Sequence, residues 1–414
     1  MVWRHFVPTA FFVAMPARPA VRSWLALLIA IPTAFLAMWI VVPAPNATLL
    51  PLGVGAPEVS AWFLISGTLA LLVALIDIRR RWLSRIAMAL AIVAIGLSSV
   101  PFVRFRAISG AAEHELRLAL GGKVLDSLTD ANRDVFRSSP LKVRDLFRPP
   151  RGPAAPIRVT HGIPFSVAQG DTLLVDVYRP GASGRFPVLV QVYGGAWQRG
   201  TPANNAEFAE YFAAQGYVVF AVDYRHAPQF RFPAQVDDVR TALAWIGSHA
   251  SEWDADTSRL AMVGRSAGAH LAMMVAYSLD APRVRGVIDY YGPVDLVEGY
   301  RKPPRPDPLA VRDIEEALLG APPDSMMDRY RAASPITLVT RRLPPTLLIY
   351  GGRDHIVEPR FGALLAGRLR AESTPVVHVE IPWAEHAFDA VPYGPSSQLA
   401  RYVAERFLAW VTRP

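Results

Sequence analysis

Three residues, far apart in the chain but alike in local setting, could together make an activated nucleophile. Ser266 sits in Gly264-Arg-Ser-Ala-Gly268, after the apolar run Leu260–Val263 and before the helix-forming run Ala269–Leu279. A strand-to-helix turn this tight needs small residues at positions 264 and 268. It aims the serine hydroxyl off the end of the strand, beside a helix N-terminus. Such a hydroxyl attacks a carbonyl only when a base takes its proton, and the base needs a carboxylate to fix its tautomer. Asp354 follows the run Thr346–Tyr350 in Gly351-Gly-Arg-Asp-His355, and His386 follows Val376–Ile381 in Pro382-Trp-Ala-Glu-His-Ala-Phe388. Ser, acid and His therefore come in the order this turn topology requires, each in a loop after a strand. Rivals fit less well. Glu358 falls where the next helix should begin and reads as a first-turn acid. Glu385 adjoins His386 too closely in sequence to meet its ring. His355 and His270 are the other nearby imidazoles, and His270, one turn into the helix, reads as packing beneath the turn.

Acyl transfer also needs donors for a developing oxyanion. The run Pro187–Tyr193 empties into Tyr193-Gly-Gly-Ala-Trp197, small residues whose amides can face a substrate. With the residue after the nucleophile, the candidate donors are Gly195, Ala196 and Ala267.

These loops need a scaffold that brings them to one edge. Strand-like runs occur at 157–162, 172–178, 187–193, 217–222, 260–263, 286–290, 346–350 and 376–381. Helical patterns fall between them at about 203–215, 235–250, 267–279, 358–372 and 396–411. The alternation predicts a mostly parallel eight-stranded sheet flanked by helices, with its site at the carboxyl ends of the strands. Residues 295–340, rich in Pro, Arg and Met, interrupt the pattern. They read either as a cap over the pocket, lined by Leu309, Leu318, Leu319, Met326 and Met327, or as a solvent-facing excursion.

Composition bounds the rest. The 414 residues are 52% hydrophobic and 19% charged, which excludes a disordered, collagen-like or coiled-coil chain. The absence of Cys excludes a disulfide framework, thiolate zinc sites, haem attachment and a Cys nucleophile. The net charge of +8 is carried almost wholly by residues 1–106, with nine Arg, no Lys and two acids, Glu58 and Asp77. A nucleic-acid footprint would need a basic face on the folded domain instead. Three apolar stretches lie in this region, Trp24–Val42, Val59–Ile78 and Ile86–Val103, each of a length to cross a bilayer. Arg4, Arg18 and Arg22 precede the first, and Arg79, Arg80, Arg81 and Arg85 fill the second connection. The first connection, Pro43–Glu58, has no Lys or Arg. The positive-inside rule then predicts a multi-pass cell-membrane protein with a cytoplasmic N-terminus and everything from residue 104 onward outside. Residues 107–156 read as a charged, partly helical connector or docking arm.

Residues 157–414 resemble the α/β-hydrolase superfamily, and within it the esterases similar to hormone-sensitive lipase and the BD-FAE type. The resemblance is carried by Tyr193–Trp197, Asp223-Tyr-Arg-His-Ala-Pro228, Phe232-Pro-Ala-Gln-Val-Asp-Asp238, Gly264–Gly268, Arg331-Ala-Ala-Ser-Pro335, Asp354 and His386. It implies Ser266 as nucleophile, Asp354 as acid and His386 as base, agreeing with the residue-level argument, and makes Asp223–Pro228 a structural segment. Tyr193 departs from the group, whose oxyanion loop usually opens with His. The expectation is an α/β-hydrolase fold preceded by a bundle of three transmembrane helices at about 24–42, 59–78 and 86–103, within 1–106. The expected function is a membrane-anchored serine hydrolase of carboxylic esters, with no cofactor, no metal and no nucleic-acid partner. Amide or formamide hydrolysis or acyl transfer on the same triad is the alternative enzyme, and a non-enzymatic membrane binding module is the alternative class.

Overall fold

The strands begin where β-branched and apolar residues crowd together and end at the glycine-bearing loops. A computed structural model describes residues 19–76, 82–150, 152–278, 284–340 and 342–414. Arg4, Arg18, Arg79, Arg80, Arg81 and Leu279 lie outside the described residues. Eight strands form one sheet: β1 (Ile157–Ala168), β2 (Asp171–Pro180), β3 (Phe186–Val192), β4 (Val218–Val222), β5 (Ala255–Arg265), β6 (Gly286–Tyr290), β7 (Thr346–Gly351) and β8 (Val376–Ile381). Their order is β1-β2-β4-β3-β5-β6-β7-β8. β1 and β2 pair antiparallel, as do β2 and β4, and every later pair is parallel. The central strands β4 and β6 are buried along their whole length, as a sheet covered on both faces demands.

The helices are α1 (Pro19–Met38), α2 (Leu50–Glu58), α3 (Ser60–Leu75), α4 (Trp82–Leu120), α5 (Gly122–Ala131), α6 (Ala206–Ala214) and α7 (Ala234–His249). They continue as α8 (Ala267–Ala276), α9 (Leu296–Arg301), α10 (Val311–Leu319), α11 (Pro323–Ala332), α12 (Arg360–Ala371) and α13 (Pro395–Val411). The chain divides into two units, residues 1–38 with 61–99, and residues 39–60 with 100–414.

In the first unit the seam is made of small residues: Ala26, Ala30, Ala70, Ala74, Ala87 and Ala91 are all fully buried. Its large apolar side chains point outward, Leu28 at 72% exposure and Trp24 at 61%. This is the reverse of a water-facing bundle. Val21–Met38 and Trp82–Leu120 each contain a stretch long and apolar enough to cross a membrane. The expected middle span, Val59–Ile78, is represented by α3, whose sixteen residues pass that test of length only together with α2, from which α3 is bent by 78°. The first helix stops at Met38 instead of Val42, ahead of Pro43 and Pro45, which cannot donate to a helix.

The second unit holds more than the hydrolase-like sheet. The expected third span does not end at Val103, because α4 runs on to Leu120. Phe105, Ala112 and Leu116 recur on one helical face and are buried in the same core as the sheet. Part of the expected connector is therefore core.

Candidate active site

Three loops meet at the carboxyl edge of β5, β7 and β8. Ser266 follows β5 with φ +52° and ψ −121°, a strained conformation for a residue with a side chain. The surroundings force small neighbours. A Cβ on Gly268 would lie 2.2 Å from the Val192 carbonyl oxygen, and one on Gly264 2.3 Å from the Gly268 oxygen. The Ser266 hydroxyl stands 3.0 Å from His386 Nε2, and His386 Nδ1 stands 2.7 Å from Asp354 Oδ2. Asp354 accepts the Ile356 and Val357 N–H groups through its other oxygen, at 2.8 and 2.7 Å. Burial disfavours the charged form of His386, but the bonded Asp354 carboxylate outweighs it and holds the imidazole pKa above 6.5. The structure thus brings together the three residues singled out from the sequence.

The rivals are placed as well. Glu358 pairs with Arg360 at the start of α12. His270 is buried, taking the Trp197 indole N–H on Nδ1 and meeting the Ala333 carbonyl through Nε2. Glu385 does not touch the His386 ring. Its carboxylate accepts the His386 and His355 backbone N–H groups at 2.9 and 2.7 Å, and its other oxygen meets His355 Nδ1 at 2.6 Å. It ties the Asp354 loop to the His386 loop, a role that adjacency in sequence could not reveal.

Gly195, Ala196 and Ala267 all line the cavity that holds Ser266. Their amides donate to no carbonyl or side chain among the described residues. Gly195 has φ +148°, and a Cβ there would strike the Arg199 carbonyl oxygen. Tyr193 anchors this loop. Its hydroxyl donates to Asp223 and lies 2.9 Å from His226 Nε2, while its ring stacks on Tyr224 at 4.4 Å. The Asp223–Pro228 segment thereby braces the loop that carries Gly195 and Ala196.

A second network was invisible from sequence. Arg265, between Gly264 and Ser266 in the elbow, is buried over the Phe208 ring and bonds Asp389, three residues after His386. The Tyr291 hydroxyl also donates to Asp389, and its ring lies 4.6 Å from that of His386. The only sequence signal was a charged residue at an elbow position that has to be buried.

The cavity over Ser266 measures about 420 Å³ and is mostly apolar. Of the five cap side chains expected to line it, Leu309 does; α10 contributes Val311 and Ile314 instead. Leu318 and Leu319 turn into the core, Met326 packs against that core, and Met327 is half-buried. Helix α10 presents one face to each side, and a count of apolar residues does not tell which.

Residues 175–369 match the BD-FAE family model. The probable carboxylic ester hydrolase LipM of Mycobacterium tuberculosis is 32% identical over 242 residues, 55% of either chain. Esterase LipC of the same organism is 33% identical over 53% of this chain and 57% of its own. The chain thus spans little more than half the length of these relatives. A propionate-bound esterase from Thermogutta terrifontis superposes with a TM-score of 0.51 at 24% identity, over 64% of this chain and 98% of that one, a likeness of fold.

Proposed function

We propose that this chain, which carries an α/β-hydrolase domain of the esterase group, hydrolyses carboxylic esters through an acyl-enzyme on Ser266. The observation that carries the reading is the unbroken bond sequence from Ser266 Oγ to His386 to Asp354, at 3.0 and 2.7 Å, on the floor of an apolar cavity. In the reaction, His386 Nε2 takes the hydroxyl proton as Oγ attacks the ester carbonyl. Asp354 stabilises the imidazolium at Nδ1. The amides of Gly195, Ala196 and Ala267 receive the oxyanion, each worth about 3 kcal/mol. His386 returns the proton to the departing alcohol, then activates water to release the acid and free Ser266. The test is hydrolysis of aryl esters by the full chain beside its Ser266→Ala variant. Equal rates would refute the mechanism.

We further propose that the chain crosses the cell membrane three times and places this domain outside. Large apolar side chains facing outward around an alanine seam suit lipid contact. Residues 39–60 belong to the same unit as 100–414, which supports placing both on one side of the bilayer. Two crossings, α3 and the apolar start of α4, separate them in sequence, which supports both as true spans. The sixteen residues of α3 rise about 24 Å, short of an average hydrocarbon core by an amount that local thinning accommodates. Arg22 and Arg85 then flank the cytoplasmic side, and the Lys- and Arg-free segment 43–58 lies outside. Protease added to intact spheroplasts should digest residues 157–414; their survival until lysis would reverse the orientation.

A further inference from the structure

The segment between α1 and α3 contributes no member of the Ser266, Asp354 and His386 group, yet it shares a unit with all three. Three ties hold it there. The Arg353 guanidinium, next to Asp354, donates to the Val41 carbonyl. Helix α2 packs on residues 388–390, just after His386, and on α13. At its end the buried Glu58 carboxyl accepts the Ser396 N–H at 3.0 Å. That bond supplies the first turn of α13 with the acceptor its own cap residue, Gly394, lacks. The fit is close, since a Cβ on Gly394 would lie 2.1 Å from Glu58 Oε2. Held in this way, the segment presents Ala47, Leu50 and Pro51 to the cavity over Ser266.

We propose that Ala47, Leu50 and Pro51 form a wall of the substrate cavity that limits how long an apolar tail the ester carries, with Leu50 the specificity-determining residue. Residues 39–60, which link two of the proposed spans, are then part of the active site. The proposal rests on the ester-hydrolase reading. The wall cannot swing aside without breaking its ties to Arg353 and Ser396, so bulk added at position 50 is subtracted from the cavity. Each methylene a tail can bury is worth about fourfold in kcat/KM. A tryptophan that displaces between one and two of them should therefore cost long esters about tenfold.

The experiment uses the full chain in detergent, with active enzyme counted by fluorophosphonate labelling so that misfolded protein drops out. Two series are measured: p-nitrophenyl acetate against octanoate, and ethyl acetate against octyl acetate. Leu50→Trp should lower the long-to-short kcat/KM ratio about tenfold in at least one series. Leu50→Ala should raise it about threefold or more in that same series. Thr48→Trp, on an exposed residue of the segment away from the cavity, should leave it within twofold. Ratios unchanged in both series by both Leu50 variants would overturn the wall. Failure of the unaltered chain to cleave any of the four esters, with no fluorophosphonate labelling, would instead overturn the reading beneath it.

Discussion

Glu58 should make the chain less stable as pH rises, and Glu58→Gln should remove that dependence. The carboxyl is 3% exposed, and burial pushes its pKa from 4.5 up to about 8, against the lowering effect of its bonds to Ser396. The sign follows from proton counting. Between those two values the folded chain keeps a proton that the unfolded chain has lost, so stability falls with rising pH and levels off above about 8. At about 1.4 kcal/mol per pH unit the full swing is about 5 kcal/mol, an upper bound because relaxation of the helix end would relieve part of it. Gln keeps the acceptor for the Ser396 N–H and cannot ionise. Thermal unfolding of the full chain in detergent, followed by tryptophan fluorescence, should give coincident midpoints for both proteins near pH 4.5. At pH 9 the Gln variant should melt higher, by about 5 °C if only half the swing is expressed. Asp289, pushed up to about 7 by burial, tilts both curves alike and drops out of the difference. Parallel curves for the two proteins from pH 4.5 to 9 would refute the buried, tied state of Glu58.

Ser266→Ala and His386→Ala should each remove nearly all ester hydrolysis, and the double variant should be little worse than either, because the groups act as one unit; additive losses in kcat would contradict this. Asp354→Asn should lower kcat about 10³-fold or more and move the acid limb of the pH–rate profile down, since the carboxylate is what holds the His386 pKa above 6.5. An unmoved limb in a residually active protein would count against the assignment. Gly195→Val should cost about 100-fold or more in kcat by displacing the oxyanion loop from its amide geometry, and a loss under threefold would show that the hole lies elsewhere. Tyr193→Phe should lower stability by about 2 kcal/mol, because half-buried Asp223 loses the hydroxyl it accepts from; an unchanged melting midpoint would argue against the brace.

The sequence alone determined the strand–helix alternation of 157–414 and the three residues of the candidate triad. Both are local signals. Val-, Ile- and Leu-rich runs bounded by glycine encode buried strands, and a serine between two glycines at a strand end encodes a strained turn whatever surrounds it. Once strands are parallel, loops that follow them fall on one edge, so Ser266, Asp354 and His386 meet as a consequence of order. What the sequence could not supply were partnerships between distant segments with no periodic or motif signature. Arg265 with Asp389, Glu385 across two loops and Tyr193 with Asp223 are each a buried charge or hydroxyl finding its partner in the folded core. The same holds for the cap, where packing on both sides of α10 decided that Val311 and Ile314, and not Leu318 and Leu319, face the cavity. Segment 39–60 is the strongest case. Its composition reads as a short loop without Lys or Arg between apolar helices, and only tertiary contact, with Glu58 at the start of α13 and Val41 against Arg353, makes it a wall of the cavity. Local sequence encodes backbone conformation and burial pattern, whereas the choice of partner depends on which surfaces the whole chain leaves adjacent.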